Sequence, residues 1–152
     1  MTHAQQARRE SLALIPKFWQ PKAAPSRQLT TSIYHWDILS KFATNEADAQ
    51  TMWAWVEAAL VYSEMTRRFV AEGVPVTDEA IQAIDEQLEI VAQVIDRFAV
   101  TGRVGFSGTE LLIARAAGHI MDQLIAADRH GIAWHSIMWA RMEIDKMKAV
   151  TA

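Results

Sequence analysis

Four side chains carry the metal or small-molecule chemistry this sequence could offer: Glu57 and Glu64, seven residues apart, and His119 and Asp122, three apart. On a helix, seven residues span about two turns and three span just under one, so each pair shares a face. Carboxylates and an imidazole on facing helices are the donor types of a divalent metal site or a polar pocket inside a bundle. The di-metal pattern, however, needs a Glu-x-x-His pair on each of two helices, and the chain contains none. His119 and Asp122 also stand beside Arg115, a grouping that reads more simply as a surface ion-pair cluster. No catalytic residue is assigned, and no cofactor is expected.

Other arrangements fail on spacing. His130 and His135 are five apart, which points them in different directions on a helical path. Ser107, the most prominent serine, is already committed to a helix cap. The turn Gly102–Gly108, GRVGFSG, leads into a helix N-terminus, a natural anion site, yet no Gly-Lys-Ser/Thr follows and no strand precedes it. Glu86-x-x-Glu89 is half of the paired acidic pattern of all-α nucleotide pyrophosphohydrolases, but no Glu-x-x-Asp partner follows. With no cysteine in the chain, disulfides, thiolate metal sites and cysteine catalysis are excluded together.

Nucleic-acid recognition would depend on basic residues. Arg8, Arg9, Lys17, Lys22 and Arg27 stand against only Glu10 within residues 1–29, whereas the chain as a whole carries −3. Residues 78–97 are acidic, with Asp78, Glu79, Asp85, Glu86, Glu89 and Asp96 against Arg97. The helix best placed to read DNA, 108–129, sets Arg115 and Arg129 against Glu110, Asp122 and Asp128. Phosphate contacts dominate affinity for DNA, so only the basic arm could do this work, and nucleic acid is the less favoured partner.

The elements that would hold these residues are helical. Apolar residues recur at three- and four-residue spacing over four main segments, near 31–42, 45–72, 78–100 and 108–129, and over a closing fifth at 132–149. The fold class is therefore all-α, an antiparallel bundle of four to five helices spanning 30–152, preceded by an irregular, basic, proline-containing arm over 1–29. Residues 4–15 allow a short helix before Pro16, and Phe18 and Trp19 need something to lie against. Residues 29–42 contain a β-prone stretch, LTTSIYHW, but no second strand candidate exists to pair with it, so helix is expected. On 45–72, Ala49, Met52, Val56 and Leu60 form one apolar face, and Trp55, Tyr62, Met65 and Phe69 a second. A helix apolar on so much of its circumference is buried from two directions. Ser107 and Glu110 form a capping box, with Phe106 under the turn ahead of it. The brief connection at His130-Gly131 predicts that 108–129 and 132–149 lie side by side as a hairpin.

The aromatic and methionine content points outward. Six tryptophans and seven methionines are many for 152 residues. Trp and Met are favoured at protein contacts. The candidate contact surface is Trp19, Trp55, Tyr62, Phe69, Trp134, Met138, Trp139 and Met142. No apolar run approaches the ~20 residues that span a bilayer, and Leu12–Ile15 is too short for a secretory core. The expectation is a non-enzymatic cytoplasmic protein working through helical contacts, most simply as a homodimer. A small-molecule or metal-binding bundle, and a nucleic-acid binder using the arm, stand as alternatives.

Overall fold

The computed structural model describes residues 25–128 and 131–151, with side chains over 34–128 and 131–150. The possible helix at 4–15, the aromatic pair Phe18-Trp19 and the basic residues Arg8, Arg9, Lys17 and Lys22 lie outside them, as does His130. Within the described residues all the regular secondary structure is helical: α1 (Pro25–Ala43), α2 (Ala49–Ala71), α3 (Asp78–Thr101), α4 (Gly108–Ala127) and α5 (Ile132–Thr151). The β-prone stretch 29–36 is helix, as expected.

Two boundaries differ from the sequence expectation. Helix α1 begins at Pro25, so residues 25–29 belong to it and not to the arm. Proline suits a first helical position, where its missing N–H would have had no partner. Helix α2 starts at Ala49, not near Thr44-Asn45, because Asp48 is the cap: its Oδ1 accepts from the Thr51 backbone N–H and from Thr51 Oγ1, both at 2.8 Å. Asn45 instead takes a left-handed conformation, φ 60°, in the turn between α1 and α2.

Helix α2 is the centre of the bundle. Met52, Val56, Ala59 and Leu60 are buried on one side, and Trp55, Tyr62, Met65 and Phe69 on another. Helices α1, α3 and α5 pack against it, and α4 packs mainly on α1 and α3. Trp55 is fully buried, donates from Nε1 to Gln87 Oε1 on α3 at 3.1 Å, and meets Phe106 edge-on at 4.8 Å. Phe106 in turn stacks flat on Phe42 of α1, ring centroids 3.9 Å apart. The residue expected to tuck beneath its own turn thus ties three segments together.

The α3–α4 corner is also pinned. Ser107 and Glu110 form the expected capping box, and Arg97 at the end of α3 donates to both oxygens of Glu110, at 2.8 and 3.1 Å. Glu110 is buried, which works to raise its pKa; Arg97 and Ser107 outweigh this and hold the carboxyl below its usual range.

The expected α4–α5 hairpin does not form. Helix α5 lies along α2, antiparallel to it, with Arg141 on Glu57 and Lys148 on Trp53, and makes at most marginal contact with α4. Gly131, at φ 70°, and the Asp128 carboxylate, which accepts from the backbone N–H groups of Ile132 and Ala133, start α5. The buried seam of α5, Ile132, Ser136, Ala140 and Ile144, needs an apolar partner. The all-round apolar α2 supplies it, whereas α4 has already spent its apolar face on α1 and α3.

Candidate functional site

Because α1 and α5 both lean on α2 without packing extensively on each other, a cleft opens between them. Its volume is about 530 Å³, within the range of small-molecule sites. Small residues create the space: Ala54 and Ala58 on α2 and Ala133 on α5 stand where larger side chains would close it. Ile38, Val61 and Ile137 make the walls apolar. At the rim, Arg141 of α5 donates from Nε to Glu57 Oε1 of α2 at 3.1 Å. Asp128, at one end, is engaged in starting α5.

His35 is the unusual lining residue. It is only 4% exposed, and among the described residues neither ring nitrogen has a hydrogen-bond partner. Burial, with a smaller contribution from His119, lowers its pKa from 6.5 to about 4, so the imidazole is neutral at physiological pH. Its Nε2 edge packs on Gly118 of α4: a Cβ there would come within 2.7 Å of Nε2 and 3.1 Å of Trp36 Cη2. Gly118 is thus the notch that lets the rings of His35 and Trp36 approach the α4 backbone. Tyr62, beside His35 in the cleft, is likewise buried; burial and the nearby Asp122 charge raise its phenol pKa, so it too stays neutral.

The candidate ligands read from sequence are dispersed. Glu57 is at the cleft rim, paired with Arg141. Glu64, farther along α2, is buried and held by Arg67 and Arg68, whose hydrogen bonds lower its pKa despite burial. His119 and Asp122 face α1: Asp122 Oδ2 accepts from Trp36 Nε1 at 3.1 Å, and the His119 ring lies 4.9 Å from that of Trp36. There they help to seat Trp36. Among the described residues no group of three or more metal-ligating side chains comes together.

The candidate contact residues divide. Trp55, Tyr62 and Phe69 are in the protein's own core, which corrects their placement on a contact surface: α2 spends both its apolar faces on neighbouring helices. Trp139 is half-buried against the core. Trp134, Met138 and Met142 are on the outer face of α5, exposed by 63%, 49% and 62%. Trp19 lies outside the described residues. Arg27 falls within α1, which removes it from the irregular arm.

His35 and Arg141 were missed at the level of sequence. A signal for His35 was present, since it precedes Ile38, Leu39 and Phe42 at the three-, four- and seven-residue spacing of one buried face. No protein-family model, curated protein or solved structure matches the chain.

Proposed function

We propose that the protein is a non-enzymatic cytoplasmic accessory or regulatory factor that works by helix-mediated association, pairing with a second copy of itself through the outer face of α5. The observation that carries this is the exposed stripe Trp134–Met138–Met142, one large apolar side chain at each four-residue step. Each such side chain contributes about 1.5–3 kcal/mol when fully removed from water. The stripe is bordered by Arg141, Asp145 and Lys146, giving the apolar centre and charged rim common at protein contacts.

Its spacing favours a second copy over an unrelated partner. A two-fold axis through Met138, with the two helices antiparallel, sets Trp134 of each copy against Met142 of the other. Sulfur–aromatic contacts of this kind are favourable. The surface is then self-complementary, as a two-fold interface requires.

Sedimentation equilibrium on the full chain tests this. The expected result is a reversible dimer, with Met138→Glu monomeric because two carboxylates meet on the axis, and with helicity unchanged. A wild-type chain that stays monomeric across the concentration series, or a Met138→Glu variant that associates equally well, refutes the proposal.

A further inference from the structure

We infer that the cleft between α1, α2 and α5 is a binding site for an uncharged, mostly apolar small molecule bearing one hydrogen-bonding group, which His35 receives. This goes beyond self-association and rests on different residues.

The cleft has both the room and the lining such a ligand needs. At about 530 Å³ it accommodates a fused two-ring molecule, and alanines on both facing helices keep it open. Its charges are already committed: Glu57 to Arg141, and Asp128 to the first N–H groups of α5. An ionic ligand would therefore have to break an existing pair. What the cleft offers instead is the buried imidazole of His35: its Nε2 edge is closed by Gly118, and Nδ1, on the opposite side of the ring, has no hydrogen-bond partner among the described residues. A buried polar group left unsatisfied is costly, and a ligand that satisfies it recovers that cost on binding. Nδ1 of a neutral imidazole is a donor in one tautomer and an acceptor in the other, and a hydroxyl can match either. The neutrality of His35 and Tyr62 extends the same preference to the whole inner wall.

The test uses N-phenylnaphthylamine, uncharged and fluorescent in apolar surroundings, with the full-length protein. One probe is expected to bind per chain. Ala58→Phe and Ala133→Phe, which fill the cleft from opposite sides, are each expected to weaken binding at least about tenfold. Because they fill space, they should leave the melting temperature unchanged or raised, which separates lost binding from lost folding. Trp134→Gln is expected to leave binding unaltered, excluding the outer stripe as the site. Naphthol is expected to displace the probe more readily than naphthalene, and His35→Leu to abolish that difference. The inference is overturned if the probe does not bind, or if binding ignores both phenylalanine variants. It is equally overturned if naphthol and naphthalene compete alike in the wild type. Probe uptake seen only in Phe18→Ala/Trp19→Ala would also overturn it, because the chain's own arm would then be the occupant.

Discussion

His35 makes the protein's stability sensitive to mild acid. Its folded pKa, about 4, lies below the 6.5 of an exposed histidine. Between those values the unfolded chain binds a proton that the folded chain refuses, so stability falls as pH falls through this window. The full shift corresponds to about 3 kcal/mol. Glu64 and Glu110, held below the usual carboxylate range by their arginines, act in the same direction but only at lower pH. Denaturant unfolding of His35→Leu should therefore show a flatter pH dependence between pH 6.5 and 4.5 than the wild type. Equal slopes would show that the imidazole protonates freely in the folded protein. The position of His35 on a buried face was legible from spacing. Its lack of partners was not, because that depends on Gly118, 83 residues away, facing it across the α1–α4 contact.

Local signals fixed the helices better than their mutual arrangement. The S-x-x-E box at Ser107 and Glu110 forms as read, since both partners are three residues apart and need no tertiary help. Arg97 was invisible as its third member, because the contact spans a corner between helices. Removing that arginine leaves the Glu110 carboxylate buried with only its cap bonds. Arg97→Met should cost about 2–3 kcal/mol in chemical denaturation. A loss under a few tenths would mean that the capping bonds alone satisfy the carboxylate. The α4–α5 connection shows the opposite limit. A short loop suggests adjacent helices, but it constrains only their ends. Which neighbour α5 lies along was decided by the apolar surface left uncovered on α2.

For the whole molecule, fold class follows from periodicity and the cleft does not. The recurrence of apolar residues in the chain required a bundle, and a helix as uniformly apolar as α2 had to be its centre. The cleft exists because two helices share α2 without packing extensively on each other, a property of packing and not of any motif. The same property explains why Glu57, Glu64, His119 and Asp122 do not converge. They occupy different contacts around α2 and α4, each already paired or packed.

Helix α5 owes its place almost entirely to one neighbour, and that sets an order of opening. Lifting it from α2 forfeits one interface and leaves the contacts among α1, α2, α3 and α4 in place. Such a unit can unfold locally at a lower free energy than the whole domain. Amide hydrogen exchange should thus reach the buried turn of α5 around Ala140 and Ile144 well before that of α2 around Val56 and Leu60, despite similar burial. Matching protection in the two helices would mean instead that the five-helix body opens as one cooperative piece.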